Sequence, residues 1–403
     1  MKETYMQAQK ITNEMSNWFD RALPAYDQNG TPTFLDDKGD LVEGIYLDMP
    51  NEVYHGLSAL SSSALKTFVS CPARYYRDYL SGVTRKRTLA MTRTFDAGTY
   101  GHELCLEPAG FYDRYFRDPI AADHPDALTT VEQIENALIE AGLPAKEGKG
   151  EKLARLLRLA PTIDASLVKT IADIDNELAR IGASKTESKL DKAVRLIDAN
   201  PQAEVYDLIV EQTRASHGQM SVTTSAETGK EIVTYGGKLP IDGVVWDDAH
   251  RVQKTVRKHK EANLYISNGL PEVAIIARCN ITGMMLKVKF DWLRFDDDAV
   301  DLKTSAQSVK PEDFRRQIFN LHYDIQQVFY CYVASIAQIH INKFVFVACE
   351  YGTADICQPY TLKRNRIIEA NNKMHSALID FKECLATNNW YGYTKEDTTI
   401  ELI

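Results

Sequence analysis

The sequence predicts an α/β fold interrupted by a helical insertion. Two observations lead there. From about residue 241 the chain runs helix, three strand-like segments, helix, apolar strand, helix, the order expected of a sheet with helices packed on it. Ahead of that, residues 111–240 lose this alternation and carry an internal repeat of helical pairs. At 403 residues the chain has room for two domains, or for one large domain with insertions.

The totals narrow the class. An apolar share of 44% with 26% charged residues is ordinary for a soluble, core-forming protein. No run approaches the roughly 18 apolar residues of a membrane span, and the start, MKETYMQAQKITNEMSNWFD, is too polar for a secretory signal. Cys71, Cys105, Cys279, Cys331, Cys349, Cys357 and Cys384 form no C-x-x-C pair. An odd, unpatterned set of this kind reads as reduced thiols in a cytoplasm, and its spacing is too wide for an iron–sulfur cluster. The net charge of −9 weighs against a nonspecific nucleic-acid binder, although acids that hold metal ions also lower the total.

Taken in order, residues 1–40 read as a polar leader ending in the turn-rich DDKGD. A first block of the core follows at 41–110. In LSSSALKTFVSC, Ser61 or Ser63 can cap a helix whose apolar stripe is Leu65, Phe68 and Val69. The Arg/Tyr-rich CPARYYRDYL carries Arg74, and Gly98, Gly101 and His102 open a second helix. Within 111–240, residues 130–161 align without gaps on 170–201. Each copy reads as helix, Gly-stopped turn, helix. The first copy resembles a SAP or HeH helical hairpin, a type that often binds DNA; the plainer reading is a pair of packing or oligomerising decorations. The rest of the core is 241–403. Residues 249–266 read as one helix with Val252, Val256 and Leu264 buried and a basic face that includes Lys254 and Lys258. Strands are expected at 272–279, 284–295 and 299–304, a long helix at 311–338, a strand at 343–350 and a helix at 362–386.

The chemistry concentrates on those strands. Glu272 heads the first, Asp291 closes KVKFD in the second, and Asp301 and Lys303 share one face of the third. Carboxylates brought together on neighbouring strands repel unless a cation lies between them. An oxygen-rich site of this kind suits Mg²⁺, with Mn²⁺ as a substitute, and a lysine beside it can orient a water and steady charge at phosphorus. A lone D-x-K is common and means little by itself. Here an acid-bearing hairpin precedes it, and a helix follows in which Gln326 and Tyr330 share a face.

Together these residues resemble the PD-(D/E)XK nuclease superfamily, and more closely its RecE (exodeoxyribonuclease VIII) family of phage and prophage recombination exonucleases. The resemblance runs through GIYLDMPNEVYHGLSALSSSALKTF, GTYGHELCLEPAGF, GLPEVAI, VKFDWLRF, VDLKTS, YDIQQVFY and NNWYGY, in the family's order. It implies a PD-(D/E)XK (restriction-endonuclease-like) core, a central mixed sheet flanked by helices, with an all-helical insertion. It implies that His102, Asp291, Asp301 and the Leu302 carbonyl ligate one metal, and that Glu272 joins a second metal or holds a metal water. Lys303 would orient the nucleophile, and Gln326 and Tyr330 would order the site and contact DNA. Ser61, Ser63 and Arg74 would approach the strand end. The segment FDAGTYGH departs from the family's pattern at Asp96-Ala97 but keeps the His. The implied activity is Mg²⁺-dependent exonuclease action on linear double-stranded DNA, 5′ to 3′. It would leave 3′ tails for a RecT-type annealing partner, and the enzyme would be a cytoplasmic, ring-shaped homo-oligomer with no membrane partner. The alternatives are a same-fold endonuclease or defence nuclease, and a catalytically silent DNA-binding or assembly protein.

Overall fold

The computed structural model describes residues 17–83, 89–224, 231–352, 354–396, 399 and 401. The chain forms two compact units, one running to Phe111 and resuming at Asp247, the other spanning Tyr112–Trp246.

The first unit is built on a mixed sheet. Its strands are β1 (Leu23–Pro24), β2 (Gly44–Leu47), β3 (Leu60–Ser61), β4 (Gly269–Arg278), β5 (Met285–Arg294), β6 (Ala299–Ser305), β7 (Phe344–Glu350) and β8 (Ile356–Tyr360). They lie in the order β1-β2-β4-β5-β6-β7-β8, with β3 paired to β5. β4, β5 and β6 form an antiparallel meander, and β7 joins β6 in parallel. All seven residues of β7 are buried, as are Val273 to Ile276 of β4. Continuous apolar runs of this kind mark strands covered on both faces.

Helices α1 (Ser62–Ser70), α2 (Leu89–Leu106), α3 (Pro311–Asn320), α4 (Tyr323–Ile336) and α5 (Arg364–Thr387) belong to this unit. Ser61 caps α1, accepting from the Ala64 amide at 3.3 Å, a bond worth about 1 kcal/mol. Leu65 and Phe68 of α1, Phe329 and Val333 of α4 and Leu378 and Phe381 of α5 enter one core with Val288 and Phe290 of β5.

Five expectations change. Gly98, Gly101 and His102 do not open a helix but lie toward the end of α2, which starts at Leu89. Residues 17–40 are not a polar leader: Trp18 is 1% exposed and stacks on Phe295, and β1 pairs with β2. Trp18, Phe19 and Ala22 enter one core and Ala25 and Phe34 another, so scattered apolar residues dock the polar stretch. The helix expected at 311–338 is two helices, because His322 sits in the left-handed region at φ 51°, where an α-helix cannot continue. The helix expected at 249–266 breaks at His259, whose Nδ1 accepts from the Ala262 amide. Val252 and Val256 are buried, but Leu264, beyond the break, is 58% exposed. Strand β8 was unforeseen: Pro359 reads as a strand breaker, yet an edge strand tolerates it.

The second unit is not all-helical. Residues Tyr115–Arg117 pair with Leu239–Ile241, and Met220–Thr224 with Glu231–Tyr235, as the β-branched MSVTT and EIVTY favour. Its repeats form helices Val131–Glu140 and Lys149–Leu159, then Ile171–Arg180 and Lys189–Ala199. Each copy does not close on itself as a free-standing hairpin would. Ile134 and Leu138 of the first helix pack with Ala193 and Leu196 of the fourth, while Leu156 of the second packs with Ile174 and Leu178 of the third. The polar contacts repeat the same exchange. Arg155 pairs with Glu147 and donates to the Ser184 carbonyl; Arg195 pairs with Glu187 and donates to the Pro144 carbonyl. The two copies are therefore interleaved, and the arginines they share hold the copies together.

Candidate active site

Strand register puts three acids in one transverse row. On the β4–β5 ladder Pro271 faces Trp292 and Val273 faces Phe290, which leaves Glu272 opposite Asp291. On the β5–β6 ladder Val300 faces Trp292 and the pairing stops there, so the next step sets Asp301 opposite Asp291. The ladder stops because Asp291 takes the bond itself: its Oδ2 accepts from the Leu302 amide at 2.8 Å. Glu272 leaves its own ladder by adopting φ 54°, a conformation a non-glycine residue rarely holds and one that functional sites often retain.

His102 reaches the row from α2. That helix lies close to β6 because position 98 is glycine; a Cβ there would stand 2.9 Å from Thr304 Oγ1. His102 Nε2 is 2.8 Å from Asp291 Oδ2. Ligand atoms of His102, Glu272 and Asp291 all lie within 4.8 Å of one another. One imidazole nitrogen with carboxylate oxygens suits a hard divalent cation such as Mg²⁺ or Mn²⁺, so the residues present fit the metal that the sequence implies. Asp301 lies outside that trio. Leu302 engages the row through its amide, which is the group the structure shows in contact with an acid.

Asp301 is 2% exposed. Its Oδ2 is 2.6 Å from Lys303 Nζ, and its Oδ1 accepts from Gln326 Nε2 at 2.5 Å. Gln326 Oε1 in turn accepts from Lys303 Nζ at 3.2 Å and from Lys66 Nζ at 3.1 Å. Gln326 thus joins an acid to two cations. Tyr330, one turn on, donates to the Lys289 carbonyl at 3.0 Å and ties α4 to β5. Tyr323 lies beneath the Lys303 ammonium, 4.5 Å from ring centre to Nζ, within cation–π range.

The charges bias one another. Burial pushes the Asp301 carboxyl up to about 6, with the Asp291 charge adding to it and Lys303 opposing. Burial also works on Asp291, but the His102 charge and hydrogen bond outweigh it and hold Asp291 below the usual carboxylate range. Burial disfavours a charged His102, yet Asp291 prevails and raises it to about 9. Burial likewise works against the Lys303 ammonium, and Asp301 and Asp291 raise it above its ordinary value.

The row therefore brings together His102, Glu272, Asp291, Asp301, Lys303 and Gln326, with Tyr330 behind them. Ser61 is engaged as a helix cap, Ser63 is exposed, and Arg74 pairs with Asp78 at 3.4 Å. Lys254 and Lys258 are exposed on the helix Gly243–Lys258. None of these five enters the hydrogen bonds or ion pairs of the row described above. Sequence reasoning missed two residues that do. Lys289 holds Glu272 at 2.5 Å and also donates to Asn51. Its signal was the period of KVKFD, which sets Lys287, Lys289 and Asp291 on one face. Lys66 reaches Gln326 across 260 positions of sequence, and no local pattern announces it.

A mixed sheet with a transverse acid row and flanking helices is the PD-(D/E)XK nuclease-like fold. Sequence comparison agrees in two places. Residues 215–399 match the family described as "PDDEXK-like domain of unknown function (DUF3799)", and residues 59–179 match the "PD-(D/E)XK nuclease superfamily". The first match contains Glu272, Asp291, Asp301, Lys303 and Gln326, and the second contains Lys66 and His102. Together they support placing the chain in the PD-(D/E)XK superfamily and its chemistry among nucleases. No curated protein matches the chain. Among solved structures it is similar to a crystal structure described as "Putative exonuclease" from Eubacterium rectale. The identity is 14% over 66% of this chain and 84% of that one, with a TM-score of 0.31, too slight a likeness to carry an argument. No helix among the described residues is long and apolar enough to cross a membrane.

Proposed function

We propose that this chain is a divalent-metal-dependent exonuclease of the RecE type, degrading linear double-stranded DNA from 5′ to 3′ and leaving 3′ single-stranded tails. The row Glu272, Asp291, Asp301 with Lys303 at its end supports phosphodiester hydrolysis. The order of the motifs shared with RecE-type enzymes supports exonuclease specificity and a phage or prophage origin. Mg²⁺ is the proposed ion and Mn²⁺ its substitute. His102, Asp291, Asp301 and the Leu302 carbonyl would hold one ion, and Glu272 a second ion or a metal water. A bound ion would supply a Lewis acid for the phosphate and a more acidic water.

The chain's own residues set the geometry. The Leu302 amide and His102 fix both the position and the charge of Asp291. Gln326 holds Asp301 at one end and Lys303 at the other, so the lysine that faces the nucleophile moves with the acid beside it. Tyr330 anchors the helix that presents Gln326. Ser61, Ser63 and Arg74 on one side, and Lys254 and Lys258 on another, are proposed DNA contacts. A ring-shaped homo-oligomer with DNA in a basic channel, handing 3′ tails to a RecT-type annealing protein in the cytoplasm, completes the reading. Helical decoration is the proposed role of the interleaved repeats.

The test sets linear duplex, labelled at each 5′ end in turn, beside covalently closed circles, with Mg²⁺, Mn²⁺ or EDTA. Loss of the 5′ label from linear DNA with either metal, and intact circles, are expected. Linear DNA left whole with both metals would overturn the assignment, and cut circles would replace it with an endonuclease.

A further inference from the structure

Among the described residues, Lys303, Lys289 and Lys66 meet the acid row or its Gln326, and Lys287 shares a face of β5 with Asp291. Lys303 is matched by Asp301 and Lys289 by Glu272. Lys287 is held by the carbonyls of Tyr54, His55 and Leu57. Lys66 differs. Among the described residues it has no carboxylate partner, and its polar contact is the neutral Oε1 of Gln326 at 3.1 Å. Its Nζ lies 5.4 Å from the centre of the Tyr323 ring, which Lys303 also faces. Because Lys66 and Lys303 share one oxygen, their ammonium groups are no further apart than those two bonds laid end to end.

An ammonium group offers three donors and no acceptor. Held partly buried with one neutral acceptor, it lacks the anion that such a position ordinarily carries. Burial, reinforced by the charge of Lys303, brings Lys66 down to about 8, so it is still mostly protonated near neutral pH. The carboxylates that act on it, Asp301, Asp291 and Asp324, are already engaged by Lys303, His102 and Arg366. The fitting partner is an anion from outside the chain, and a nuclease brings one with its substrate.

We infer that Lys66 binds a backbone phosphate of the DNA strand lying along the acid row, as a second cation beside Lys303. This rests on the nuclease reading of the same site. In that arrangement Gln326 sets the spacing of the two ammonium groups, and α1 becomes a substrate-binding helix through a residue in its middle.

The test measures binding rather than turnover. The full chain is titrated onto fluorescent linear duplex in Ca²⁺ between 50 and 200 mM KCl, by anisotropy. K66Q keeps a donor toward Gln326 but removes the charge; K66R keeps the charge. For K66Q the slope of log affinity against log salt should become shallower by about 0.9, the value of one phosphate contact, with about tenfold weaker binding at low salt. K66R should keep the wild-type slope. A folded K66Q with the wild-type slope overturns the inference, and so does a K66R that loses the slope, because packing rather than charge would then be at work. K66M serves in place of K66Q if the latter does not fold. Wild-type protein that binds no DNA removes the nuclease reading and this inference together. Binding with an unchanged K66Q slope removes this inference alone.

Discussion

Asp301→Asn separates stability from function at a single atom pair. Asp301 is 2% exposed, and its carboxyl rises from 3.8 to about 6, with burial the leading cause. The folded state therefore binds this proton more tightly than the unfolded chain does. That preference stabilises the fold below pH 3.8 and is lost as the pH climbs through about 6. Above that, the ionised group weakens the metal-free fold by roughly 3 kcal/mol relative to its neutral form. Asn is close to that neutral form in shape. In EDTA at pH 8, D301N should therefore unfold above wild type, with a ceiling of about 6–12 °C on the scaling of Tm with size. At pH 4 the two should nearly coincide. Cleavage should fall by a factor on the order of 10³ or more, as when a group that steadies transition-state charge is removed. Thermal scans at both pH values, with and without Mn²⁺, make the check, and the Mn²⁺-induced rise in Tm should shrink in the mutant. D301N unfolding below wild type at pH 8 in EDTA would refute the claim that burial dominates this carboxylate.

Lys303→Ala should behave oppositely in stability: it leaves buried Asp301 with only Gln326 and lowers the metal-free Tm, while cleavage also drops on the order of 10²–10³-fold. His102→Gln tests the imidazole. The raised value of about 9 means that His102 stabilises the metal-free fold fully below pH 6.5 and loses this as the pH rises through 9. The Tm gap between wild type and H102Q in EDTA should close across that window, and a constant gap would contradict the His102–Asp291 pairing. In the repeats, removing 170–201 alone exposes Ile134, Leu138 and Leu156, which are fully buried against the second copy. That variant should aggregate or lose its cooperative transition, whereas removing 129–202 whole should leave a soluble chain. Equal behaviour of the two deletions in calorimetry and light scattering would argue against interleaving. Unchanged cleavage and DNA affinity in the longer deletion would support a decorative role.

Much of the site was legible because it follows strand periodicity. Asp301 and Lys303 are two apart on a strand, Gln326 and Tyr330 four apart on a helix, and such spacings survive any packing of those elements. Lys289 obeyed the same rule and was overlooked because KVKFD drew attention to its acid. The break at His322 was hidden, since no glycine or proline marks it and a left-handed histidine is chosen by its surroundings. The repeats were visible as a 40-residue offset, but their exchange of partners was not. Self-pairing and cross-pairing bury the same apolar positions, and only the assembled unit decides between them.

By itself, the sequence determined an α/β core, an interrupting repeat, and a set of acids and a lysine spaced for one face of a sheet. These are consequences of local periodicity and composition. Tertiary structure alone decided that Glu272, Asp291 and Asp301 fall in one row, that Asp291 captures the Leu302 amide, and that Lys66 meets Lys303 on Gln326. Those facts depend on register between strands and on the approach of α1 and α4. Contacts across 10 to 260 residues are fixed by packing the whole core rather than by any local segment.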